Sequence, residues 1–246
     1  MVGGAAAADA IARARRLPSL RVGLHLVLVD GKPLLPRTAI PDLVDADGEL
    51  HRNLAAAGRR LFLHPAARAQ LAAEIEAQYA AFAATGLPLD HVNAHHHFHV
   101  HPAVAQPLLA VGKRYGLSAV RVPLEPASFL RRIEPAGRHR RDWVVEPWAR
   151  LLGVRARRAG MITPAQVFGL AWSGAMSESR IAGVLQRLPE GLTEVYVHPA
   201  TRGNLSPAAT RAGRPVELAA LTTAGIRDLV CRLGVRTGGY SDFPKE

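Results

Sequence analysis

The chain has 246 residues, 48% hydrophobic and 21% charged, enough for one well-buried α/β core and too apolar for a disordered chain. Its net charge of +11 comes almost wholly from arginine, since Lys32, Lys113 and Lys245 are the only lysines among 31 basic residues. No run of about 18 apolar residues exists to span a membrane. The N-terminus lacks the basic segment and apolar core of a secretory leader, and a single cysteine excludes an internal disulfide framework.

In chain order, residues 5–17 read as a helix. "LRVGLHLVLV" (20–29) reads as a buried strand closed by the turn signal Asp30-Gly31. Residues 31–63, punctuated by proline and glycine, read as a long loop with a short helical piece. A helix follows over 65–85, with Pro65 in its first turn, Leu71, Ile75, Tyr79 and Phe82 at helical spacing, and Gly86 past its end. The pattern then predicts a strand over 89–95, a helix over 102–115 stopped by Gly116, and a strand over 118–122. An arginine-rich segment, 127–160, breaks the rhythm. A helix over 177–188, a strand over 192–197, a helix over 222–233 and a short strand near 235–240 complete the chain. This alternation argues for a mainly parallel sheet, open or closed into a barrel, in one domain over 1–246. Cys231, inside "IRDLVCRLG", reads as a buried structural thiol rather than a nucleophile.

Six of the eleven histidines lie in "LDHVNAHHHFHVHP", between His91 and His101. If 91–99 is extended, His91, Asn93, His95, His97 and His99 share one face, while Val92, Ala94, Phe98 and Val100 keep the other apolar except for His96. Neither a tag nor a random histidine tract keeps that alternation between two structural elements. Imidazole is a common ligand for zinc and other divalent first-row ions, with three protein ligands usual in catalytic sites. Each single histidine has a bland alternative as an orienting or surface group; the cluster points to a metal. Two isolated histidines add to it. His25 is the only polar side chain between Val22 and Val29, either a ligand or a core histidine bonded to backbone. His198, in "EVYVHPA", ends a β-rich run, where parallel α/β folds place their chemistry. It reads equally as a turn histidine.

These pieces resemble the YdjC-like carbohydrate deacetylase family, also called chitooligosaccharide deacetylase-like. The matching stretches are "PSLRVGLHLVLVDGKPLLP", "EIEAQYAAFAATGLPLDHVNAHHHFHVHP", residues 120–126, "TEVYVHPA" and "RPVELAALTTAGIRDLV". The wording is most similar to the subgroup associated with hopanoid biosynthesis, whose proposed role is to deacetylate an N-acetylglucosamine-bearing hopanoid. The resemblance implies an α/β fold, a deformed (β/α) barrel, holding one divalent ion (Mg2+ or Zn2+). It implies His25 and His95 as metal ligands, His198 as general acid, and His97 and His99 as groups that orient ligands or touch the sugar. Family members open on a strand ending in "NADDFG", whose acidic pair supplies a ligand and the base. Met1 here would fall after that strand, and no Asp-Asp pair occurs. The expectation is therefore a barrel without its first strand, N-terminally incomplete relative to the family. Such a chain turns over acetylated sugars poorly, or acts as a non-catalytic sugar- or metal-binding remnant.

The expected partners are an acetylated sugar or glycolipid, an anionic membrane surface, and a second copy of the chain as a homodimer. The location expected is cytoplasmic, peripheral to the inner face of the membrane. The membrane contact falls on 131–158, with Arg131, Arg132, Arg138, Arg140, Arg141, Arg150, Arg155, Arg157 and Arg158 beside Trp143, Trp148, Leu151 and Leu152. The competing reading is a solvated basic loop from an arginine-biased composition. Nucleic acid is not expected: aromatics are 5%, and no zinc-finger, RNA-recognition or helix-turn-helix signature accompanies the charge.

Overall fold

The computed structural model describes residues 1–137, 145–201 and 214–243. They form a mixed α/β fold with parallel strands and two compact units. One unit comprises Met1–Arg121, Pro147–Thr163 and Gly238–Glu246; the other comprises Val122–Glu146 and Pro164–Thr237.

In the first unit, β1 (Leu24–Leu26) pairs in parallel with β2 (Val92–Ala94), register Leu24 to Val92, His25 to Asn93, Leu26 to Ala94. Ala119 and Val120 extend the ladder by bridging to Ile162 and Val92. The strands are far shorter than their apolar runs, and the reason is visible at Val27. The buried Gln78 amide takes both backbone groups of that residue, accepting from its N–H at 3.0 Å and donating to its carbonyl at 2.7 Å, so the chain leaves the ladder with its polar groups satisfied. Gln78 lies on α3 (Pro65–Ala83), which starts at Pro65 as its sequence predicts and ends just before Gly86 (φ +71°). The same helix carries the fully buried Glu74, whose carboxylate accepts from the N–H groups of Leu34 and Leu35 and pins that loop. Around them pack α1 (Ala7–Arg15), α2 (Leu54–Leu63), capped by the Asn53 side chain, and α4 (Pro102–Arg114). Leu24, Leu26, Ile40, Leu50, Leu71, Ile75, Tyr79, Val92 and Leu108 are almost wholly buried among them.

In the second unit, β3 (Gln166–Phe168) pairs in parallel with β4 (Thr193–Val195). The sequence pattern did not mark β3, because three residues are too few to show a period. Its end is sharply defined. Gly169 sits at φ +109°, where any Cβ would collide with the Tyr196 carbonyl oxygen. The next N–H groups, of Gly169, Leu170 and Ala171, all donate to the Glu125 carboxylate at 2.6–3.0 Å. Phe129, Leu130, Phe168, Trp172, Met176, Ile181, Val184, Ile226 and Leu229 make the core. They come from α5 (Ala127–Ile133), β3 and the turn after it, α7 (Glu178–Leu185) and the helices at the chain's end.

Three sequence expectations change, and one helix is added. The helix predicted over 222–233 forms as α9 (Ala224–Arg232), started where the Thr223 hydroxyl accepts from the Ile226 N–H, and a helix the pattern did not mark, α8 (Arg214–Thr222), precedes it. Among the described residues no strand forms near 235–240; a 3-10 turn, Tyr240–Asp242, docks on Asp90 instead. The arginine-rich interruption contains α5 and α6 (Val145–Arg158). Cys231 is exposed, since Ile226 and Leu229 turn the other face of α9 inward.

Candidate metal centre

The extended face expected over 91–99 does not exist. The strand ends at Ala94, and His95–Val100 wind as a 3-10 segment in which His96 and His97 take left-handed backbone angles (φ 52° and 54°). The six histidines therefore fan out instead of stacking, and their roles separate.

Three of them hold the fold. His91 Nδ1 lies 2.8 Å from the Asp90 carboxylate, which also accepts from the Tyr240 and Ser241 N–H groups and the Ser241 hydroxyl. Burial opposes ionisation of Asp90, but these hydrogen bonds outweigh it and hold the carboxyl well below its ordinary range. His101 caps α4, its Nδ1 accepting from the Ala103 N–H at 3.2 Å, and its ring packs against Phe62, Phe98 and Trp148. His99 is fully buried and its Nε2 meets the Arg121 carbonyl at 2.9 Å, which leaves it no surface for a sugar.

Burial lowers the pKa of both His99 and His101. Their protons are thus taken up by the unfolded chain first as pH falls through about 6.5. Stability is expected to stay level above that pH and to decline below it, by about 1.4 kcal/mol per pH unit for each histidine until the folded-state pKa is reached. Urea midpoints at pH 8, 6 and 5 measure this; equal midpoints would contradict it.

Of the remaining histidines of the run, His95 and His96 lie near β1 and the turn that follows it. The His25 and His95 rings stand 5.8 Å apart between centroids at 70°. Two imidazoles on one ion, each with a metal–nitrogen distance near 2.0–2.1 Å, place their centroids roughly 5 Å apart, so the pair is close to a shared-ion arrangement. His25 is pushed down to about 3 by burial, and stays a neutral imidazole fit for ligation. Its Nδ1 touches the Asn93 side-chain amide at 2.5 Å. The amide can turn two ways, and only the turned-over one satisfies both of its ends, since the other sets its NH2 against the Arg121 guanidinium. With Oδ1 toward the ring it accepts from Nδ1–H and leaves the Nε2 lone pair open. Turned over, its nitrogen donates to Nδ1 while Oδ1 accepts from both terminal guanidinium nitrogens of Arg121 at 3.3 Å. Only the first orientation leaves Nε2 available to an ion.

A carboxylate stands in the same place, and the sequence pattern had assigned it to a turn. Asp30 Oδ2 lies 3.1 Å from His96 Nε2, and ligand atoms of Asp30, His95 and His96 all fall within 4.8 Å of one another. His97 stacks loosely with His99, centroids 6.1 Å apart. What periodicity could not reveal is the left-handed backbone that brings Asp30 and His96 together.

His198 belongs to the second unit, just past β4. Its Nε2 lies 2.7 Å from the Tyr196 hydroxyl, its Nδ1 3.3 Å from the Ser173 hydroxyl, and its backbone N–H donates to the buried Glu217 carboxylate at 2.6 Å. Of the basic segment, Arg131, Arg132, Arg150, Leu151, Arg155, Arg157 and Arg158 are exposed, whereas Leu152 is buried in the core. Trp148 is half-buried against Phe62 and His101. Arg138, Arg140, Arg141 and Trp143 lie outside the described residues. Among the described residues, no helix is long and apolar enough to cross a membrane.

The chain is similar to proteins named for sugar deacetylation. It is 29% identical to the carbohydrate deacetylase of Geobacillus stearothermophilus, over 98% of this chain and 83% of that protein. It is 35% identical to the carbohydrate deacetylase of Brevibacillus brevis and 36% to the chitooligosaccharide deacetylase of Serratia marcescens, over 43% and 48% of this chain. In these two alignments it spans 40% and 44% of the relatives' length. A solved structure from Enterococcus faecalis, described as a proposed cellobiose-phosphate cleavage protein, superposes with a TM-score of 0.68 at 22% identity. It covers 95% of this chain and 82% of that one, and so shares the fold. The sequence profile of YdjC-like proteins matches residues 1–232, and the chain belongs to that family.

Proposed function

We propose that this chain is a metal-dependent hydrolase that removes the acetyl group from an N-acetylated sugar. The observation that carries the reading is the convergence of His25 and His95, from the ends of two adjacent parallel strands, in a chain whose relatives are named carbohydrate and chitooligosaccharide deacetylases. A divalent ion, Mg2+ or Zn2+, would lower the pKa of a bound water and polarise the acetyl carbonyl. His25 and His95 would hold it as neutral imidazoles, which requires the Asn93 amide to turn its Oδ1 toward His25 Nδ1 when the ion is held. His198 would give a proton to the leaving amine, a role suited to a ring kept in hydrogen-bond reach of Tyr196 and Ser173. His97 and His99 would steady the ligand loop from behind. The family match over residues 1–232 supports reading the chain as one deacetylase domain of the deformed (β/α)-barrel kind.

The resemblance to the hopanoid-associated subgroup supports an N-acetylglucosaminyl hopanoid as the finer substrate. A lipid-borne sugar fits a membrane-facing basic surface. Arg150, Arg155, Arg157 and Arg158 on α6 would supply it at roughly 1 kcal/mol each near anionic lipid.

The test is acetate release from N-acetylated chito-oligosaccharides by the full chain. Release is expected with Zn2+ or Mg2+, lost on chelation and regained on adding metal back. Sugar binding without acetate release in the metal-loaded protein would refute turnover and favour a binding protein. On the lipid side, co-sedimentation with vesicles containing phosphatidylserine should fall when these four arginines become glutamate; unchanged co-sedimentation refutes that surface.

A further inference from the structure

Asp30, His95 and His96 converge from the loops that follow two neighbouring strands. Asp30 sits four residues beyond β1, and His95 and His96 directly follow β2. Parallel α/β folds gather ligand-binding groups at those C-terminal ends. The backbone is bent to make this happen. Among the described residues, three non-glycine residues have positive φ: Asp30 (48°), His96 (52°) and His97 (54°). Two carry side chains of this trio and the third follows directly. Aspartate and histidine tolerate the left-handed region better than most residues, but neither gains from it unless the surroundings reward the geometry. What the geometry yields is a carboxylate oxygen and an imidazole nitrogen 3.1 Å apart, the separation of adjacent ligands on a small divalent ion, with a second imidazole alongside.

We infer that Asp30 supplies the carboxylate, and His96 a further imidazole, of a divalent transition-metal site that they share with His95. Two imidazoles and one carboxylate select zinc, cobalt, manganese or iron over calcium, which takes oxygen ligands, and leave positions open for water and substrate. The inference rests on the proposed metal chemistry and goes beyond it, because Asp30 carries no signal in the sequence except as a turn residue. Arg52 approaches Asp30 at 3.9 Å, but its close bond, 3.0 Å, is to Glu49, so Asp30 is not committed to it.

The experiment is Zn2+ titration by calorimetry, with Co2+ absorption as the spectroscopic signature of nitrogen and oxygen ligation. The full chain is compared with Asp30→Asn, His96→Asn, His25→Asn and His95→Asn. Asp30→Asn keeps the volume, and the His96 side chain is 41% exposed, so neither change should prevent folding, which circular dichroism verifies. The expected result is one tight ion, with affinity lowered at least about tenfold in both Asp30→Asn and His96→Asn, and an altered Co2+ spectrum. Wild-type affinity and spectrum in those two variants, with loss in His25→Asn and His95→Asn, overturns this inference and leaves the proposed function standing. No ion bound by the unmutated chain overturns both.

Discussion

Replacing His95 by alanine is expected to cut acetate release by more than about a hundredfold, with the fold intact. The ring is the one group common to both arrangements seen at the end of β1 and β2: it faces His25 at 5.8 Å and packs against His96 at 4.1 Å. If His95 holds the ion as proposed, its removal takes away both the activated water and the polarisation of the carbonyl, and even groups that only support a ligand cost about 10–100-fold. His25→Ala should approach the same loss. Asn93→Leu should fall between, since it leaves His25 Nδ1 without the amide that decides which nitrogen carries the proton. The measurement is initial rate against substrate concentration at saturating metal. A His95→Ala rate within fivefold of the unmutated chain would remove this residue from the centre.

Glu217→Ala is expected to lower stability by about 2–4 kcal/mol and to unsettle His198. Glu217 is fully buried, and its two oxygens accept from the Met176 N–H at 3.0 Å and the His198 N–H at 2.6 Å. Alanine would leave the buried Met176 donor and the half-buried His198 donor without that partner, and each such group costs about 1–3 kcal/mol when buried. Glutamine restores one acceptor and should recover part of the loss. Urea denaturation followed by tryptophan fluorescence reads the second unit when Trp148, in the first unit, is replaced by phenylalanine, since Trp172 lies in the second unit's core. A loss below about 0.5 kcal/mol would show that water replaces the carboxylate there. If His198 gives the proton to the leaving amine, the surviving folded Glu217→Gln protein should also show a lower kcat at little changed KM.

Four carboxylates, the buried Glu74, Asp90 and Glu217 and the half-buried Glu125, perform the same task, each gathering N–H groups of a loop that has no ladder to join. In a chain with 20 acidic residues against 31 basic ones, this reserves scarce negative charge for places where backbone donors would otherwise be buried unpaired. None of the four was singled out by sequence pattern. A glutamate at helical spacing looks the same whether it meets water or a neighbouring loop.

Local sequence determined much of the scaffold by itself. Pro65 and Gly86 bracket α3, Gly116 follows α4, and the apolar runs around His25 and Val92 mark the two strands that do pair. These features depend on backbone preference and burial within a few residues, which a period can report. The apolar pattern placed His25 in one strand and His95 beside another, but it was the family resemblance, not the pattern, that paired them; their rings stand 5.8 Å apart because β1 and β2 are neighbours. Tertiary structure decided the rest. Where a strand ends was set by partners far along the chain, as when Gln78 captures Val27 across 51 residues. Whether six crowded histidines line one face or fan apart was set by two left-handed residues that no alternation rule foresees. And Asp30, a turn residue by sequence, became a neighbour of His96, 66 residues away, because hydrogen-bonded strands bring their trailing loops together whatever the separation along the chain.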